Sequence, residues 1–262
     1  MKADIISIVK RLEKSNKDET NRRIFNILER IYKYAVTLGF AKRNILADID
    51  KSILLKPKRH KNLPHITDEN RLRELLIAID NYFGDASPRM ALKLMPYVFL
   101  KPSNIRNAEW KEFDFEKRIW IIPGHKMKLK KPHIVPLTSS MIEIIKFMEP
   151  ISKDCSIYVF PSYKSYYIPL SENTINQALH RLGYKGLITG HGFRHTASTI
   201  LHENMHIHGV HSDAIEMQMA HTIPNSVKQT YNKAQYLPER IRLMQWWSDY
   251  IDRLKGNEGR II

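Results

Sequence analysis

Three things are scarce in this 262-residue chain. Cysteine occurs once, at Cys155, which excludes an internal disulfide framework and suits a reducing cytosol. No apolar run approaches the roughly 20 residues needed to span a bilayer, and Met1 to Lys10 lacks the apolar stretch and small-residue cleavage site of a secretory signal. Acidic residues are also few, 27 Asp+Glu against 42 Lys+Arg, for a net charge of +15 and a pI near 9.7. Such an excess favours a polyanionic partner, because each phosphate neutralised releases condensed counterions. The cations are spread along the chain, so nucleic acid outranks a membrane surface. A cytoplasmic location follows as an expectation. Gly-rich phosphate loops, metal-binding carboxylate clusters, internal repeats and low-complexity tracts are missing too.

What is present, 43% hydrophobic and 26% charged residues, is enough for one large domain and a small one. Ile5, Ile6, Val9 and Leu12 suggest a short helix, and Phe25, Leu28, Tyr32 and Ala35 a longer amphipathic one ended at Gly39. Leu55 to Pro64 is rich in cations and proline and has no periodicity. It reads as a linker whose Lys56, Lys58, Arg59 and Lys61 run over phosphates. Thr67 is placed to cap a helix carrying Leu72, Leu75, Leu76 and Ile79. A further helix follows from about Pro88. Ile119 to Pro123 and His133 to Leu137 flank a basic turn, which predicts a β-hairpin with Lys126, Lys128, Lys130 and Lys131 at its tip. Helical spacing returns at Met141 to Met148, Glu172 to Leu182, Gly192 to Glu203, from Ser212, and over Arg240 to Leu254. The last carries an apolar stripe of Leu243, Trp247, Tyr250 and Leu254. The class is mainly α with one small antiparallel sheet.

The chemistry lies near the C-terminal end. His191 and Arg194 are three apart and share a helix face, so an imidazole and a planar guanidinium fork can reach one phosphate. His221 falls at a helix end, and Tyr231 sits between Lys228 and Lys233. A phenol attacking a phosphodiester needs cations on the non-bridging oxygens and groups that move protons to and from the bridging ones. This set supplies both, and predicts DNA strand cleavage through a phosphotyrosine. A competing pattern, His202-Glu-Asn-Met-His206 followed by His208 and His211, matches the His-Glu-x-x-His signature of zinc hydrolases. The third histidine of the longer zinc motif falls at position 212, which is serine.

Taken in order, several strings resemble the tyrosine recombinases, also called the phage integrase family, and most of all the integrases of temperate phages and genomic islands. They are Asn107 to Asp114, Trp120 to Pro123, Lys126-Met-Lys128, His133 to Leu137, Val159-Phe-Pro161, Thr189 to Thr199, Ile215 to His221 and Tyr231 to Tyr236. The resemblance implies the recombinase catalytic fold over about residues 64–262, preceded by a partial helical core-binding domain over 1–63. It implies that Tyr231 attacks the scissile phosphate and is left on the 3′ phosphate. Arg194 clamps the non-bridging oxygens, His191 assists proton transfer, His221 donates to the phosphate, and Lys128 protonates the departing 5′ oxygen. The implied partners are double-stranded attachment-site DNA, a homo-tetramer assembled there from protomers that are single in solution, and DNA-bending accessory proteins. No metal and no cofactor is implied.

Two departures qualify the resemblance. The family's first catalytic arginine aligns with Lys101, and its usual acid with Asn104. Lysine keeps the charge but not the bidentate fork, so the alternative is a weakened or inactive relative that binds DNA, unless Arg106 compensates. The chain is also expected to begin partway through the core-binding helices. Whether the last helix packs in cis or on a neighbouring protomer is open.

Overall fold

The computed structural model describes residues 2–15, 17–56, 63–221 and 236–256. The chain divides into two units, Met1–Asn62 and Leu63–Ile262.

In the first unit, α1 (Lys2–Lys14) and α2 (Asp18–Thr37) are joined by a short break, and Gly39 ends the run at φ +77°. A short α3 (Lys51–Leu54) starts at Asp50, whose carboxylate accepts the Ser52 N–H. The core is small: Ile5, Val9, Phe25, Leu46 and Leu55 are buried, with Leu28 and Tyr32 packed at its edge. Buried Asn21 ties α2 to the Val9 carbonyl at 2.8 Å. Ile27, Ile31, Tyr34 and Leu38 stay exposed on the opposite face of α2.

The second unit holds the main core. α4 (Glu69–Asp80) buries Leu72, Leu75, Leu76 and Ile79, as their spacing predicts. Its cap is Asp68, which accepts the Arg71 N–H, and not Thr67. α5 (Ala86–Leu94) leads through an irregular Met95 to Lys101 into α6 (Pro102–Arg106), where Pro102 opens the helix. β1 (Phe113–Asp114), β2 (Ile119–Ile122) and β3 (His133–Pro136) form an antiparallel sheet in that order, with Trp120 opposite Val135. The predicted hairpin is β2–β3. α7 (Ser139–Lys146) and α8 (Glu149–Ser152) follow. A second hairpin, β4 (Pro161–Ser162) with β5 (Ser165–Pro169), is a sheet that the sequence reading did not foresee. α9 (Thr174–Arg181), α10 (Gly192–Glu203), α11 (Met205–His208) and α12 (Ser212–Gln218) come next.

The last helix, α13 (Leu237–Leu254), begins three residues before its predicted start. Leu243, Trp247, Ile251 and Leu254 are buried in the main core, so it packs in cis. Trp247 donates to the Pro96 carbonyl at 2.8 Å and meets Phe99 edge-on. Asp252 accepts from Tyr97 and Ser140, and Lys255 pairs with Asp80. These contacts make α13 the backing of the Met95–Lys101 segment. Among the described residues, no helix is long and apolar enough to cross a membrane.

Candidate active site

α10 carries the centre. Phe193, Ala197, Ile200 and Leu201 bury one face of it, which fixes where the other residues of its first turn point. The Gly192 N–H is taken by Thr189, through both its carbonyl and its hydroxyl. The imidazole of His191 is therefore not consumed as a cap. A Cβ on Gly192 would lie 2.3 Å from the Pro64 carbonyl oxygen, so only glycine lets the 63–66 segment cross the start of α10 so closely.

Arg194 is 7% exposed. It donates to the Phe99 carbonyl at 2.7 Å and to the Met219 carbonyl. Two carbonyls from distant segments thus aim the guanidinium, and its remaining donors can serve an incoming anion. Burial lowers the Arg194 pKa and nearby Glu216 opposes that; guanidinium stays charged in proteins.

The Phe99 segment also places Lys101, which caps α6 with an extended backbone. The Met219 segment places His221. Ala220 adopts φ +52°, turning the chain back at the end of α12, and His221 then bonds the Glu216 carboxylate at 2.8 Å. His191 is half-buried, and its pKa lies below the ordinary value. Burial is the largest cause, followed by His195, Arg194, Lys101 and His221. One imidazole thus feels every described member of the set except Lys128. Lys101, His191, Arg194 and His221 are brought together from three separate stretches of chain.

Beneath them lies a polar layer that the sequence did not reveal. Arg240 of α13 is 1% exposed and donates to Gln218 at 2.8 Å and to the Ile134 carbonyl. Burial lowers its pKa to about 10. His133 of β3 is buried in the same region, and its Nε2 has no hydrogen-bond partner. Burial first, then the charges of Arg240 and Arg194, push its pKa to about 3. It is a neutral side chain at any ordinary pH.

The basic turn splits into two kinds of lysine. Lys126 points inward: it pairs with Glu109 at 2.7 Å, with Glu112, and with the Asn107 carbonyl. Its assignment to the DNA surface is therefore corrected, because the ammonium neutralises two nearly buried carboxylates. Lys128, Lys130 and Lys131 are exposed. Gly124 lets this turn close, since a Cβ there would meet the Lys130 carbonyl at 2.6 Å. Arg106 donates to the Leu170 carbonyl at 2.8 Å, which holds it in the fold and away from the role of substitute for Lys101. Lys56, in the first unit, lies 3.8 Å from Asp18 and 4.0 Å from Glu13. Tyr231, Lys58, Arg59 and Lys61 lie outside the described residues.

The rival zinc motif does not survive as a unit. α10 stops at Glu203, so His202 and His206 are not on one continuous helix. The His202 ring bonds the Ser198 carbonyl and the Ser212 hydroxyl, and the His208 ring the Leu201 carbonyl and the Val210 N–H. His211 caps α12 through the Asp213 N–H. Three of the rings are thus engaged locally, which opposes convergence on an ion.

Residues 65–237 match the model of the phage integrase family. The chain belongs to the phage integrase family. It is 34% identical to the integrase of Shigella phage Sf6 over 248 residues, covering 95% of this chain and 63% of that protein. A prophage integrase of Escherichia coli K12 is 33% identical over the same shares. The chain thus spans somewhat under two thirds of the length of these relatives. Lambda integrase, solved as a dimer bound to a COC′ core site, has the same fold at 14% identity. Its TM-score is 0.65, with 100% of this chain and 82% of that one covered. The Tn1549 transposon integrase in complex with circular intermediate DNA matches at a TM-score of 0.60 and 17% identity, over 89% and 80%. The family match contains Lys101, Lys128, His191, Arg194, His221 and Tyr231, while Lys56 to Lys61 precede it. The glutamate that holds His221 and the carbonyls that hold Arg194 were missed from the sequence. Only the position of Glu216, five residues before His221, offered a signal.

Proposed function

We propose that this phage integrase cuts and rejoins double-stranded DNA at specific sites through a 3′-phosphotyrosine formed by Tyr231. The observation that carries the reading is the anchored Arg194, ringed by Lys101, His191 and His221. A buried guanidinium with fixed partners is preorganised for the charge that develops on the non-bridging oxygens, and pays no reorganisation cost as it does. Tyr231 attacks the phosphorus, the P–O5′ bond breaks, and the strand stays linked through the phenolic oxygen. His191, kept neutral below its usual pKa, accepts the phenolic proton. His221 donates to a non-bridging oxygen. The Glu216 carboxylate at its Nδ1 fixes a proton on that nitrogen, orienting the ring. Lys128, exposed on the hairpin turn, gives a proton to the 5′ oxygen. Attack by another 5′ hydroxyl reverses the steps, and the bond energy held in the phosphotyrosine removes the need for a nucleotide cofactor.

The second unit supplies this chemistry and the first, residues 1–62, is part of a core-binding domain on the same duplex. The substrates are attachment sites, the assembly is a tetramer on DNA, and bending proteins assist it. A structural neighbour supports the partner reading: lambda integrase was solved as a tetramer bound to a Holliday junction.

Lys101 favours a second reading, a relative that binds DNA and cleaves it slowly. A lost bidentate contact in the transition state costs roughly 2–4 kcal/mol, or about 10²–10³ in rate. A nicked suicide substrate, whose cleaved end diffuses away, separates the two. The native chain is expected to form a covalent adduct, Tyr231→Phe none, and Lys101→Arg an adduct at least tenfold faster. An equal rate in Lys101→Arg means the lysine is not limiting, and absence of adduct in both with intact DNA binding refutes the enzymatic reading.

A further inference from the structure

Beside the candidate active site lies a row of imidazoles that the reaction above does not use. His195 is one turn beyond His191 on α10, with ring centroids 5.5 Å apart, and His65 continues the row 5.7 Å from His195. The placement of His65 is built into the fold. Its backbone crosses α10 where Gly192 has no side chain, and the next residue, Ile66, donates its N–H to the Thr196 hydroxyl at 3.3 Å. Its Nδ1 lies 2.9 Å from the Leu63 carbonyl, which can only accept. The ring proton therefore sits on Nδ1, leaving Nε2 to take up a second one.

Among the described residues, the charged and titratable groups around this row are nearly all basic. His195 feels His65, Arg194 and His221; His191 feels His195, Arg194, Lys101 and His221. Among the described residues, the carboxylate in the neighbourhood is Glu216, which bonds His221 and stands 3.7 Å from His202. Burial and these cations hold His195 below its ordinary value, so its ring resists a proton until an anion arrives. A DNA strand carries a phosphate at every nucleotide, roughly 3.4 Å of axial rise apart. His195 stands 5.5 Å from His191 and His65 a further 5.7 Å from His195, an offset on the scale of that phosphate spacing.

We propose that His65 and His195 form a second phosphate subsite, for the backbone phosphate adjacent to the one held by Arg194, and that it fills with uptake of protons from solvent. The inference rests on the DNA-cleaving reading above. Each Nε2 gains a proton and donates it in a hydrogen bond to a phosphate oxygen. A protonated His195 in turn repels a proton from His191, 5.5 Å away, and keeps that ring free to act as a base.

The test is the affinity for a mixed-sequence duplex, by fluorescence anisotropy from pH 8.5 to 5.5 at fixed ionic strength. It compares the native chain with the His65→Gln/His195→Gln double variant. The native chain should bind more tightly as pH falls, by up to about tenfold per pH unit for each proton taken up. The double variant should match it at pH 8.5 and show a clearly shallower slope. Equal slopes overturn the subsite while leaving the DNA reading intact, and so does a double variant already weakened at pH 8.5. A native chain that binds no duplex at any pH removes both together.

Discussion

His133 sets the sharpest pH demand at the level of single residues. Its folded pKa of about 3 lies far below the ordinary 6.5, so it contributes stability above pH 6.5 that is lost as pH falls toward 3. The unfolded chain takes the proton and the folded one refuses it. Between pH 7 and pH 5 this single group should cost about 2 kcal/mol, from 1.4 kcal/mol per unit of pKa difference. Urea melts of the native chain and His133→Asn at both pH values check this. The loss between them should be smaller in the variant by about that amount, and an identical loss means His133 takes up its proton in the folded state. Nothing in the string His133-Ile-Val-Pro announced such a residue: its burial comes from α13 folding back over β3, a contact of more than 100 residues' separation. Arg194 could be singled out as a candidate phosphate ligand because its type and its spacing from His191 are both local. The carbonyls that aim it were not, since any residue at 99 or 219 has one.

Among the elements, the β2–β3 hairpin gives the clearest contrast. Its strands were legible from two β-branched runs, but nothing local marks which of the turn's four lysines, Lys126, Lys128, Lys130 and Lys131, points inward. Packing divides them. Lys126→Ala leaves Glu112, with 1% of its side chain exposed, without its counter-charge, while Glu109 keeps Lys111 at 2.8 Å. Breaking such a pair should cost about 3–5 kcal/mol, seen as a lower midpoint in urea. Lys130→Ala and Lys131→Ala should change stability by less than about 0.5 kcal/mol. Each should instead lower the salt slope of DNA binding by about one ion. A stable Lys126→Ala protein would show that the inward pairs contribute little. The β4–β5 hairpin escaped notice for a physical reason: its strands are short, bounded by Pro161 and Pro169, and expose Tyr163, Tyr166, Tyr167 and Ile168. Without a buried face there is no alternation to read. The Asp68 cap beat Thr67 because the first helical residue falls one position later than the periodicity suggested.

For the whole molecule, the +15 charge is the property that composition alone established. With 6–10 phosphates contacted, affinity for any duplex should fall roughly 10³–10⁵-fold between 50 and 200 mM salt. A filter-binding titration at several salt concentrations measures that slope, and one near zero contradicts a phosphate-dominated interface. Order along the chain made the family legible, since eight modest strings in fixed sequence constrain more than any residue alone. Convergence in space was not legible. It depends on α13, whose Trp247 braces the Phe99 segment and whose Arg240 braces α12 and β3. The last helix thus supports both walls that hold Arg194.

The central claim is that Tyr231 is the nucleophile served by Lys101, His191, Arg194 and His221. Protease digestion of the adduct formed with a suicide substrate, followed by mass spectrometry of the nucleotide-bearing peptide, tests it most directly. The account predicts the modification on Tyr231 and its absence from Tyr236, five residues away. A nucleotide found on Tyr236 or on any other residue, with Tyr231 unmodified, would contradict it.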